Sequence, residues 1–216
     1  MTQNPAPPEL SGRLTLVTMR KIVCAGFAAL LSSAQMSFAQ APIDIYAYFQ
    51  KASGVGGEGL ARKTKTVDAR EAKPGEIVVT ILKGEGKETQ SPPAKAGDMV
   101  VRNRCPESGN EEFLVPGAKF ASRYEGPTGS ANEGGWRPYR PRGADMRFVV
   151  VTEKDGAFTF TAPWGETMVA RPGDAIVQDA QDPKDTYRVQ KAAFTCTYEE
   201  IRPLSKRRTC RSTGRL

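Results

Sequence analysis

The chain has 216 residues, 39% hydrophobic and 25% charged, with 21 Gly, 16 Pro and a formal net charge of +7. The length suits one or two domains, and the balance is that of a globular protein, neither collagenous nor wholly disordered. Histidine is absent, which excludes Ser-His-Asp and Cys-His catalysis, histidine general bases and histidine metal sites.

The N-terminal region has the anatomy of an export signal. Met19-Arg20-Lys21 is a short basic start, Ile22 to Leu31 is an apolar run, and Ser32 to Ala39 ends in small residues at Ser37 and Ala39. This pattern predicts a secretory signal peptide of the Gram-negative type within residues 1–39, with translation starting at Met19 and Gln40 as the first mature residue. Cys24 sits near the start of the apolar run, against lipid modification. The mature protein is expected to be periplasmic or secreted. No other stretch approaches the roughly 20 apolar residues needed to span a bilayer, so no transmembrane segment is expected after cleavage.

Residues 40–61 read as a short helix and a Gly-rich linker. Ile45, Tyr48, Phe49 and Ala52 fall on one helical face, Pro42 suits the first turn, and Gly54 to Gly59 ends the helix. Residues 62–125 read as a first β unit, with strands at Thr66–Ala69, 77–82, Met99–Val101 and Phe113–Val115, and a hairpin turn at Gly84. Residues 126–142 (GPTGSANEGGWRPYRP and Arg142) read as a linker. Its Trp136 and Tyr139 are expected to fold back onto a domain rather than form a ligand surface.

A second β unit is expected over 143–201, with strands at Met146–Thr152, 157–162, Ala175–Val177 and 187–189. A turn at Trp164-Gly165 joins its hairpin, and a short Ala-containing turn or helix is expected near 190–194. Phe194, Cys196 and Tyr198 alternate with Thr195, Thr197 and Glu199, which reads as a strand with Phe and Tyr inward. Residues 202–216 carry six basic residues and no acid. They are expected to be a basic, disordered tail, open to weak contact with anionic surfaces. Without the signal and the tail the body is nearly neutral, so nucleic acid is not an expected partner.

The two units repeat one another. Ala94-Lys95-Ala96-Gly97-Asp98 corresponds to Ala170-Arg171-Pro172-Gly173-Asp174, and each precedes an apolar run. Ala118-x-Phe120 corresponds to Ala192-x-Phe194, and Tyr124-Glu125 to Tyr198-Glu199. Gly84-Glu85 corresponds to Gly165-Glu166. The expected fold is therefore mainly β with minor helix: two tandem small β-rich units related by internal duplication, plus the N-terminal helix. Pro172 and Gly173 suit the centre of a type II turn, and Asp174 suits a hydrogen bond to the local backbone. Of the cysteines, Cys105, Cys196 and Cys210 survive processing. An exported protein favours pairing, and both Cys196–Cys210 and Cys105–Cys196 remain open.

On Pro172-Gly173-Asp174 followed by Phe194, Thr197, Tyr198 and Glu199, the second unit resembles the small bacterial and phage "PGDYG" proteins. The first unit matches at Gly97-Asp98, Phe120, Tyr124 and Glu125, and departs at Ala96 and Arg123. The second has Ala175 where the motif has Tyr. The resemblance implies a fold unit and no catalytic residues.

The residues that carry chemistry are few. Asp98 and Asp174 recur at one place in each unit, but a turn explains them without acid–base work. Glu125 and Glu199 are expected on the exposed face. Gly54 to Gly59 lacks the Gly-Lys-Ser/Thr of a phosphate-binding loop, and Cys196 lacks a histidine to activate it. Three scattered cysteines without a CxxC pair make no metal site. No catalytic, metal or cofactor residue is assigned. The expected function is a non-catalytic binding or interaction module of the cell envelope, its partner a protein or an envelope polymer. The alternative is a carboxylate-dependent envelope hydrolase with its site between the units.

Overall fold

A computed structural model of the protein describes residues 41–203. The signal segment, Cys210 and the tail beyond Pro203 lie outside the described residues. Among the described residues the fold is mainly β, built from antiparallel sheets with three helices.

The N-terminal helix α1 (Ile45–Gly56) starts at Asp44, whose carboxylate accepts from the backbone N–H groups of Tyr46 (2.8 Å) and Ala47 (3.2 Å). Asp44, rather than Pro42, is thus the start signal, because it satisfies N–H groups that have no partner within the helix. Ile45 and Phe49 are buried, with Tyr48 and Ala52 packed beside them, as the spacing predicts.

The first half then runs β1 (Gly59–Lys63), β2 (Val67–Glu71), the hairpin β3 (Val79–Leu82) and β4 (Gly86–Gln90), β5 (Met99–Asn103), β6 (Glu112–Val115), α2 (Gly117–Arg123) and β7 (Tyr124–Glu125). The second half has the same order. It runs β8 (Arg137–Pro141), β9 (Asp145–Val150), the hairpin β10 (Phe158–Thr161) and β11 (Thr167–Ala170), β12 (Ala175–Asp179), β13 (Thr186–Val189), α3 (Lys191–Thr197) and β14 (Tyr198–Arg202).

The halves are interlocked. One five-stranded sheet has the order β6-β5-β2-β8-β7 and the other β13-β12-β9-β1-β14. Strand β1 opens the first half in sequence, yet it pairs with β9 and β14 of the second. Strand β8 opens the second half and pairs with β2 and β7 of the first. Each half therefore lends its leading strand to the other's sheet.

This exchange corrects the expected boundaries. Residues 126–142 are not only a linker, because β8 lies within them, and residues 40–61 run into β1. The prolines of β8 disguise it, since proline cannot donate to a ladder. Among the strands, Pro138 pairs only with β2 and Pro141 only with β7, so neither has to donate to a second strand. Gly59 disguises β1. A Cβ at this position would lie 2.1 Å from Phe148 Cε1, so the glycine makes room for a ring on the neighbouring strand.

Each sheet is covered on both faces. Helix α3 lays Phe194 against Phe148, Ala61 and Val177, and α2 lays Phe120 against Val67, Ala69 and Val101. The opposite face of the second sheet holds Phe49 of α1 with Phe160, Met168 and Ile176. The corresponding face of the first sheet holds Trp136 with Val78, Val100 and Ala94. Trp136 does fold back, and Tyr139 packs edge-on to Phe120 with ring centroids 4.9 Å apart.

The stretch Phe194 to Tyr198 is mostly helical, in place of the expected strand. Residues spaced i and i+4 share a helical face as readily as a strand face, and Phe194 stacks on Tyr198 at 5.1 Å within this geometry. Arg202, expected in the tail, closes β14. Among the described residues no helix is long and apolar enough to cross a membrane.

Candidate functional site

The recurring aspartates are spent on structure. Gly97 and Gly173 hold φ of +86° and +93° at the third positions of equivalent turns, where a type II turn requires a positive φ. Asp98 accepts from Lys95 N (2.8 Å) in its turn and from Gly117 N (3.2 Å) at the start of α2. Asp174 accepts from Arg171 N (2.8 Å) and from Lys191 N (3.0 Å) at the start of α3. Each carboxylate therefore ties a turn to a helix N-terminus, and the two belong to different sheets. Glu125 and Glu199 are exposed, as expected. Cys196 is bonded to Cys105, with Cα atoms 6.1 Å apart. The bond ties the β5–β6 loop of one half to α3 of the other. Cys105, Glu107 and Cys196 bring ligand-type atoms within 4.8 Å of one another, but joined sulfurs are not the thiolates that a metal requires.

A cavity of about 590 Å³ lies between the two halves. This is an ordinary size for a small-molecule site. Leu82, Phe113, Met168, Val189 and Tyr198 supply much of its apolar wall, and Trp164 of the second hairpin also lines it. Three polar groups of residues face it. None of them stands out in the sequence, because they come from strands, turns and helix α2 of both halves and meet only in the folded chain.

The first group surrounds Arg188 on β13, which is buried although charged. Its guanidinium donates to Asp174 (2.7 Å), Glu88 (2.7 Å) and Glu85 (2.9 Å). Glu85 and Glu88 arrive from the first half's hairpin. Arg171 adds a second cation 3.4 Å from Glu85. Three carboxylates thus face two guanidinium groups. Burial pushes the Glu88 carboxyl up to about 7 against the pull of Arg188, and the charges of Glu85 and Glu111 add to the rise. Glu85, by contrast, is held below the usual carboxylate range by its bonds to Gln190 and Arg188, against its own burial.

A raised carboxyl pKa binds more protons in the folded than in the unfolded state. Glu88 therefore weakens the fold as pH rises from about 4.5 to about 7, by roughly 3 kcal/mol in all. Below that window the penalty is absent. Glu88→Gln is expected to flatten stability across it, as urea unfolding at pH 5 and pH 8 will show. A wild-type profile already level over this range would contradict the assignment.

The second group is Lys119 and Arg123 on α2, which both bind Asp185 of the second half; Lys119 Nζ lies 2.5 Å from Asp185 Oδ1. The third is centred on Lys63, at the end of β1. Its ammonium donates to Asn103 Oδ1 at 2.7 Å and faces the rings of Phe113 and Tyr198, 5.3 and 6.0 Å from their centroids. Asn103 in turn donates to Glu111 at 2.6 Å. Burial pushes the Lys63 amine down to about 8.

Two groups on this wall lack the partner their chemistry calls for. Among the described residues, Lys63 has no carboxylate within 4.0 Å. The carbonyl oxygen of Gln190 is buried and accepts no hydrogen bond, while its amide nitrogen donates to Glu85 at 2.6 Å.

No family model, curated protein or solved structure matches the chain.

Proposed function

We propose that the protein is an exported, non-catalytic binding module whose ligand occupies the cavity between the interlocked halves. The observation that carries this reading is a largely apolar wall that holds a buried acceptor without a donor, Gln190 Oε1, and an ammonium, Lys63, whose hydrogen bond is to a neutral amide and not to a carboxylate. A core evolved only for packing satisfies its buried polar atoms, whereas a binding site leaves some to be satisfied by the ligand. Lys119, Arg123, Arg188, Glu88 and Asp185 on the same wall are already matched to one another, and Lys95 is exposed. The Cys105–Cys196 bond supports export, since such bonds persist in oxidising compartments. The shared element order of the halves supports an internal duplication, with the cavity arising where the two copies meet.

The test is a titration with 1-anilinonaphthalene-8-sulfonate, which fluoresces in apolar sites. One dye is expected per chain. Ala144 is exposed and lines the cavity, so Ala144→Trp obstructs it without opening a core. The substitution is expected to weaken dye binding at least about tenfold. Dye binding unchanged by Ala144→Trp would contradict the site.

A second reading, the carboxylate-dependent envelope hydrolase, draws on Glu88 alone. A carboxyl that keeps its proton near neutral pH is what a general acid needs. In that case envelope polysaccharide is cleaved, and Glu88→Gln abolishes the cleavage while leaving dye binding in place.

A further inference from the structure

We infer that the cavity receives an amphiphilic monoanion, a molecule with an apolar body and one carboxylate head, and that Lys63 receives the head. This inference rests on the binding reading above and names its ligand chemistry.

The argument starts from what surrounds Lys63. Its neighbours from each packed element are Tyr198 of β14, Phe113 of β6, Asn103 of β5, Glu111 before β6, Tyr187 of β13 and Arg123 of α2. Glu111 is the nearest candidate counter-ion, yet the Asn103 amide stands between them and bonds each. Glu111 is itself engaged by the Ser108 hydroxyl. Lys119 and Arg123, on the same wall, already share Asp185. An ammonium set against two aromatic rings, with its nearest acid one residue away, has room for one anion.

Among the cations that line the cavity, Lys63 is the half-buried one without a carboxylate, Lys95 being exposed, and this sets the head at one negative charge. A second charge would find Arg123, Lys119 and Arg188 occupied by Asp185, Asp174, Glu85 and Glu88. The apolar wall of Phe113, Leu82, Met168 and Val189 specifies the rest of the molecule, because a fully polar ligand would lose hydration without compensation. The depressed Lys63 amine agrees with a missing counter-charge. An arriving carboxylate restores the ammonium and must draw in a proton above pH 8.

The probe is monomeric decanoate, with decanol as the uncharged control and the full mature protein as receptor. Decanoate is expected to bind more tightly than decanol. Lys63→Met is expected to weaken decanoate about ten- to hundredfold and to leave decanol within about twofold. Should Lys63→Met fail to fold, calorimetry of the wild type at pH 8.5 in two buffers of different ionisation enthalpy reads the same event. Uptake of about half a proton or more per decanoate is expected. It should persist in Glu88→Gln, which removes the other group titrating nearby.

Equal binding of decanol and decanoate, or no proton uptake, would overturn the anion assignment and leave the cavity reading standing. Binding of neither, with no dye binding, would overturn both. Lys63-dependent retention on phosphatidylglycerol vesicles without decanoate binding would overturn the free amphiphile in favour of a membrane headgroup.

Discussion

Replacing Asp174 by alanine is expected to cost roughly 3–5 kcal/mol of stability, several times the cost of the same change at Asp98. Both aspartates follow the glycine of equivalent turns, and both hold a helix start to a turn. Only Asp174 also binds a buried guanidinium, that of Arg188. Three residues before the helix starts at Gly117 and Lys191 the halves diverge in chemistry: Leu114 stands on β6 where Arg188 stands on β13. Removing the Asp174 carboxylate orphans two backbone N–H groups and one face of a buried cation. Removing Asp98 orphans the N–H groups alone, at about 1–2 kcal/mol. With one competitor gone, Glu88 should also ionise at lower pH. Urea midpoints for the two alanine variants will show the difference, and equal losses would mean that Arg188 draws no net benefit from Asp174.

Trp136→Ala is expected to cost about 3–5 kcal/mol. Trp136 is buried against Val78, Val100 and Ala94 and closes one face of the first sheet. Arg102 lies 3.8 Å and Arg70 5.1 Å from its ring centroid. These guanidinium groups shield the indole from water and are themselves held by Glu112 and Glu76. Phe49 of α1 does the equivalent work on the second sheet, beneath Arg147 at 5.3 Å. Trp136→Phe should recover most of the loss, because a ring remains under the arginines. The far-UV circular dichroism melt reads this without relying on tryptophan emission. A loss under 1 kcal/mol for the alanine variant would show that residues 126–136 only lie on the surface.

The strands that begin after Gly97-Asp98 and Gly173-Asp174 were legible because turn chemistry and apolar runs agree there. Helix α1 was legible from Ile45, Tyr48, Phe49 and Ala52, although its cap residue was not recognised. The exchanged strands were hidden by their own solutions to local problems. Gly59 looks like linker until the ring of Phe148 is placed against it, and Pro138 and Pro141 look like breakers until their one-sided pairing is known. Helix α3 was obscured because Phe194 and Tyr198 satisfy both periods. The candidate site was not legible at all. Lys63, Glu88, Arg188 and Gln190 are unremarkable polar residues in strands or at their ends. Burial gives them their chemistry, and that burial follows from which strand each half lends to the other.

The exchange of β1 and β8 interlocks the two halves that wall the cavity, so the most direct measurement separates the halves. Residues 41–133 and 134–203 are produced as two chains and followed by circular dichroism, alone and mixed. Each chain alone holds a sheet that lacks the strand it should receive, and neither can complete its core. The account predicts no cooperative melt for either chain, and one cooperative transition, with one bound dye, for the mixture. A cooperative melt from either chain alone would contradict it, because that half would then be a domain that needs nothing from the other.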